Sequence, residues 1–253
     1  MQNKSIFRYF YFGTSVRYLQ DVSAGYRIHD VPAGAMVLTN LDRFSATLVE
    51  LGLQVTERAA ESLKSFANDL RKLPQDAVLT EPQAKTINGL MQRIRPTLEA
   101  ELQGFEAYVV TPKRIDVTRL LKDVPFLFAS GTFSKLPDIA RYDLNECGKC
   151  IAFERPTAAA FHLLRATESV LRLYYCVQVK RSRVDLMWGP MVQLLRGRAK
   201  SKEAEMLLNN LDDIRFHFRN PTQHPEKTYD VDEVQDLWGR CVDAISRMAT
   251  QLP

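Results

Sequence analysis

The period of apolar positions along the chain changes near residue 41. Upstream, short apolar pieces (IFRYFYF, AMVLT) are broken by Gly13, Gly25, Pro32 and Gly34. That pattern predicts a turn-rich cap over residues 1–40, with one or two short strands. Downstream, Leu41, Phe44, Leu48, Leu51 and Val55 recur at three- and four-residue steps, as one face of a helix requires. Thr56 is placed to cap a further helix after Gly52, with Ala59, Leu63, Phe66 and Leu70 as its stripe and Pro74 as its end. Thr80 and Gln83 have capping-box spacing and open a helix through Ile87, Leu90, Ile94, Leu98 and Leu102. Pro96 lacks an N–H for the preceding turn and predicts a kink there.

The stretch 105–140 has no clear period. It holds Pro112, Pro125, Pro137 and one apolar piece, FLFAS, and reads as a connector packed on both halves. Residues 141–154 read as a helix stopped before Pro156, because a residue preceding proline avoids helical dihedrals. Pro156 then suits the first turn of the next helix, TAAAFHLLRATESVLRLYYCV, which is apolar around most of its circumference. Such a helix belongs at the centre of a bundle. A shorter helix at 184–196 follows, then one at about 202–219 with Leu207, Leu211, Ile214 and Phe218 on its core face. Asp230 and Glu233 open the last, lined by Val234, Leu237, Trp238, Cys241, Ile245 and Met248. The expected fold is mostly α: a mainly helical N-terminal domain (1–105), a connecting segment (106–140) and a bundle of four or five helices (141–253).

Composition changes this picture little. In 253 residues, 45% are hydrophobic and 25% charged, as in ordinary globular proteins, which excludes a wholly disordered chain or a disulfide miniprotein. Thirty-four Lys+Arg against thirty Asp+Glu leave +4, compatible with an anionic partner without requiring one. Lys4 and Arg8 interrupt the first apolar stretch, so no signal peptide is expected. No apolar run is long enough to span a membrane. Four cysteines without a secretory signal point to reduced thiols and a cytoplasmic location. No dinucleotide, P-loop, nucleophile-elbow or HExxH pattern occurs, and no cofactor or metal is expected.

The chemistry concentrates in IRFHFRNPTQHPEKTYD, residues 214–230. Pro221 and Pro225 are expected to brace a rigid turn between two helices. Within six residues the turn gathers Arg219, Asn220, Thr222 and His224. An arginine binds a phosphodiester bidentately and stays charged. A histidine titrates near neutrality, so it can take a proton from a ribose 2′-hydroxyl or return one to the leaving 5′-oxygen. Attack by the 2′-oxygen yields a 2′,3′-cyclic phosphate without a metal. It needs acid–base groups on both sides of phosphorus, and a two-fold dimer apposing two such turns would supply them. Arg219 lies about 100° around the helix from Phe218, beside Arg215. At a helix C-terminus its charge is favoured, and the same dipole favours a protonated imidazole nearby. The plain alternative is an arginine serving as a C-cap and a histidine bonding its own turn.

Two features resemble the HEPN superfamily. Arg219–Asn220–x3–His224 resembles its Arg-polar-x(3–5)-His motif, and ECGKCIAFERPTAAAFHLLRATE (146–168) is similar to a phrase found in bacterial HEPN-like proteins. The resemblance covers about 141–250. It implies a four- or five-helix bundle that cleaves RNA as a homodimer with Arg219 and His224 catalytic, without metal. It also implies a toxin or antiphage effector restrained by an antitoxin or regulatory partner. The alternative is a non-catalytic module binding RNA, a nucleotide or a partner protein; a third possibility is a dimer scaffold.

Other residues are candidates for support. His162, Arg165, Glu168, Ser169 and Arg172 form a polar stripe on the central helix. It either holds the Arg219/His224 corner or meets RNA, or it is an internal salt-bridge network. Residues 180–202 carry a local charge of +6 from Lys180, Arg181, Arg183, Arg196, Arg198, Lys200 and Lys202 against Asp185. With Arg215 these are candidates for the RNA backbone, or they are simply solvated. Cys147-Gly-Lys-Cys150 falls inside a helix, lacks a second ligand pair and reads as structural. His217 reads as a solvated residue.

Overall fold

The computed structural model describes residues 6–31, 34–224 and 227–253. The expectations placed on Lys4, Pro32 and Pro225 lie outside them. The chain forms two compact units, Met1–Tyr108 and Val109–Pro253. Both are built of helices, and among the described residues only two isolated β-bridges occur, Arg27 with Val78 and Val31 with Gly34.

In the first unit the expected turn-rich cap is instead mostly helix α1 (Ile6–Gln20). Phe12, Ser15 and Leu19 are its buried positions, spaced three and four apart. A helical period therefore runs beneath the aromatic residues that suggested strands. Gly13 has no neighbour within 4 Å of where a side chain would go, and the helix passes through it. Phe12 stacks on Phe44 of α2 (Val37–Leu51), ring centroids 5.7 Å apart. Gly52 ends α2 at φ +71°, in the left-handed region that favours glycine.

Helices α3 (Gln54–Ala59), α4 (Glu61–Leu70) and α5 (Glu81–Leu102) complete the unit. Thr56 does not cap a helix; it is buried within α3. Its N–H and hydroxyl donate to Glu101 of α5 at 2.8 and 2.7 Å, and the Val55 N–H donates to the same carboxylate at 3.1 Å. A side chain distant in sequence thus satisfies the orphan N–H groups of α3. The capping box of α5 forms, Gln83 Oε1 accepting from the Thr80 N–H at 2.9 Å. The helix runs on through Pro96 to Leu102.

The second unit begins inside the stretch read as a connector. Leu120, Val124, Phe128, Leu136 and Ala140 belong to its core, so 109–140 is part of this unit. These apolar residues are spread among short elements, α6 (Val117–Lys122) and two 3₁₀ turns (Val124–Leu127 and Phe133–Lys135), too short to set up a readable period. Helix α7 (Asp138–Ala152) precedes α8 (Pro156–Val179), which Pro156 opens. Helix α8 is the centre, with α7, α9 (Trp188–Arg196) and α12 (Val231–Ala249) packed around it. Gly148 allows α6 to cross α7 closely: a β-carbon there would run into the Leu120 carbonyl and come within 3.1 Å of Val124. Burial pushes the Cys147 thiol well above its ordinary range and that of Cys241 to about 12, so both pack as apolar groups. Among the described residues no helix is long and apolar enough to cross a membrane.

Candidate functional site

The site grows from one irregularity. Helix α10 (Lys202–Ile214) does not stop near Arg219. It widens into a π-helical turn, Arg215–Arg219, and continues as α11 (Asn220–Gln223). The Asn220 N–H reaches the Arg215 carbonyl five residues back. This corrects the expected turn at Pro221: that proline lies in the first turn of α11, where a missing N–H is tolerated. It also corrects the helix C-terminus expected at Arg219, because the helical path runs on to Gln223. π-Turns inside α-helices re-aim side chains and recur at functional sites.

The corner after α11 is held by Thr222. Its hydroxyl donates to the Phe218 carbonyl at 2.6 Å and pairs with the Tyr229 hydroxyl at 2.7 Å. Tyr229 also donates to the Phe218 carbonyl at 3.3 Å, and its N–H donates to Thr157 on α8 at 3.2 Å. These bonds tie both sides of the corner to α8.

Helices α8 and α11 and the π-turn enclose a cavity of about 190 Å³. Its polar wall is His162, Arg165 and Glu168 from α8, with Arg219, Thr222 and Gln223 opposite. Five side chains singled out from the sequence (Arg219, Thr222, His162, Arg165 and Glu168) are therefore brought together. Glu168 accepts from Arg219 at 3.5 Å and from Arg172 at 2.9 Å. Arg219 keeps its Nε buried without a hydrogen-bond partner among the described residues.

The sequence reading missed Asp143 of α7, which anchors this wall. Its carboxylate is fully buried, yet it accepts from His162 Nδ1 at 2.9 Å and from Arg165 Nε at 2.6 Å, with Arg165 Nη2 on the other oxygen. The hydrogen bonding that Arg165 donates to Asp143 is the main cause that raises the already high pKa of Arg165. A signal was present: Asp143 lies on the same face of α7 as buried Ala140, Cys147 and Ile151, where an acid demands a partner.

The remaining candidates are elsewhere. His224 is exposed and is not in the cavity wall, although it follows Gln223, which is. Asn220 is half-buried and outside the wall. Arg215 packs: its guanidinium lies 4.1 Å from the Phe216 ring centroid, bonds Asp212 at 3.1 Å and sits where a β-carbon of Gly189 would be. Arg196 pairs with Asp212 at 2.8 Å, and Arg198 donates to the Gln178 carbonyl at 3.3 Å. Lys180, Arg181, Arg183, Lys200 and Lys202 are exposed, as is His217. Among the described residues no three His, Cys, Asp or Glu side chains gather as a metal site.

No protein-family model, curated protein or solved structure matches the chain.

Proposed function

We propose that the chain is a metal-independent endoribonuclease of HEPN type. It cuts RNA by 2′-hydroxyl attack at a site shared by two copies, as a cytoplasmic toxin or antiphage effector restrained by a partner. The observation that carries this reading is Arg219. Its side chain lines a polar cavity, where a phosphodiester oxygen would meet a charged donor, and its Nε is buried without a partner among the described residues. Glu168 holds the far side of the guanidinium at 3.5 Å and limits its swing. His224, exposed one residue beyond the wall, is the imidazole a second copy would complement.

The second reading, a non-catalytic module that binds RNA, a nucleotide or a protein, draws on the same geometry. His224 does not line the cavity, and Arg219 already has a carboxylate partner. Incubation of the purified protein with total RNA in chelator decides between them, with end-group analysis of the fragments. The wild type should leave 2′,3′-cyclic phosphates, and Arg219→Ala and His224→Ala should each lose about 100-fold or more in rate. Undiminished cutting by both variants would remove the assigned site, and tight binding without product would favour the module.

A further inference from the structure

The ribonuclease reading leaves Asp143 and His162 without a role. Asp143 is the one buried acidic residue among the described residues. Arg165 grips both of its oxygens, and a carboxylate held that way accepts hydrogen bonds and donates none. His162 Nδ1 lies 2.9 Å from Oδ1. A neutral imidazole in this position must therefore keep its proton on Nδ1 and carry its lone pair on Nε2. His162 is in the cavity wall with Arg219, its side chain 27% exposed, and Nε2 has no hydrogen-bond partner among the described residues. A tie between α7 and α8 would not need this histidine, since Arg165 already spans the two helices from the same carboxylate. The imidazole is oriented and its working nitrogen is open.

We infer that His162 is a catalytic acid–base residue of this cavity, with Asp143 as its positioning residue. One chain then carries a proton acceptor and a phosphate-binding guanidinium on the same cavity. The inference rests on the ribonuclease reading and extends it. His162 Nε2 takes the proton from the ribose 2′-hydroxyl, and the freed oxygen forms the new bond to phosphorus. The bond from phosphorus to the 5′-oxygen breaks, and that oxygen leaves with a proton from a second acid, the role given to His224. The products are a 2′,3′-cyclic phosphate and a 5′-hydroxyl, and His162 returns its proton to water. Arg219 neutralises the phosphate, while Glu168 and Arg165 line the same cavity with opposite charges.

The test is single-turnover cleavage of a short RNA in chelator by the full-length wild type, His162→Gln, His162→Gly and Asp143→Asn. Thermal melts and RNA affinity are measured in parallel. His162→Gln should lose about 100-fold in rate with affinity changed less than about threefold. Added imidazole should restore cleavage at least about tenfold to His162→Gly and leave Arg219→Ala inactive. In Asp143→Asn the rate should fall with affinity retained, and the ¹⁵N spectrum of His162 should lose its preference for a protonated Nδ1; an unchanged tautomer would remove Asp143 from the proposal. Cleavage by His162→Gln within about threefold of the wild type, while Arg219→Ala is dead, overturns the role of His162 and leaves the ribonuclease reading standing. No cleavage by the wild type overturns both. If the His162 variants do not fold, diethyl pyrocarbonate mapping of the wild type decides. Uridine 3′-monophosphate should slow modification of His162 and not of His29, and an unchanged rate at His162 rejects the role.

Discussion

The two units bury different things. The first fills its core with Leu19, Phe44, Leu63, Ile87 and Met91, and its buried polar side chains are the uncharged Ser15, Asn40 and Thr56. The second fills its core around α8 and also buries Asp143 of α7, with a polar cavity alongside. Apolar burial is non-directional and stabilises wherever area leaves water. A buried carboxylate is stable only if specific donors meet it. Asp143, paired to two side chains that line a cavity, is what sets the second unit apart, and the proposed site rests on it.

The sharpest way to break this contrast is Asp143→Ala. It removes the hydrogen bonds that His162 and Arg165 make to a common carboxylate and should cost about 2 kcal/mol in a urea melt, because Arg165 is exposed enough to be solvated and no buried charge is left behind. A loss near that of an exposed ion pair, below about 1 kcal/mol, would mean the carboxylate does not hold α7 to α8. A smaller effect is expected at the corner. Thr222→Val removes the donor to the Phe218 carbonyl and the partner of the Tyr229 hydroxyl, and should cost about 1 kcal/mol. An unchanged melt would leave the corner held by Tyr229 and Thr157 without it.

The smallest effect belongs to the first unit. Glu101 sits below the usual carboxylate range: burial acts to raise it, but hydrogen bonds from Thr56 and Val55 outweigh that. Its contribution is therefore complete above the unfolded-state pKa and is lost as pH falls through the lower folded value. Replacing it by Gln should flatten the acid limb of the melting temperature between about pH 5 and 3. An identical limb in both proteins would show that α3 does not rely on this carboxylate.

Much of the fold was legible because helices advertise themselves by period. Helices α5, α7, α8 and α12 fall where their stripes and caps place them, with both capping boxes formed at Thr80–Gln83 and Asp230–Glu233. Helix α1 was not, since β-prone aromatic residues disguised a three- and four-residue spacing that only Phe44 on the facing helix makes meaningful. Five of the side chains proposed around the corner do share one cavity, yet the carboxylate beneath them was missed. In sequence Asp143 is one acid among thirty Asp and Glu, and its burial depends on α7 meeting α8.

Read alone, the sequence determined the helical class, the capping boxes of α5 and α12 and the central place of α8. Those follow from spacing and residue type, which act over a few turns. Tertiary structure alone decided that α10 widens into a π-turn, that Pro221 lies within a helix, and that Asp143 meets both His162 and Arg165. Each depends on contacts between residues far apart in the chain, where neither period nor propensity carries information.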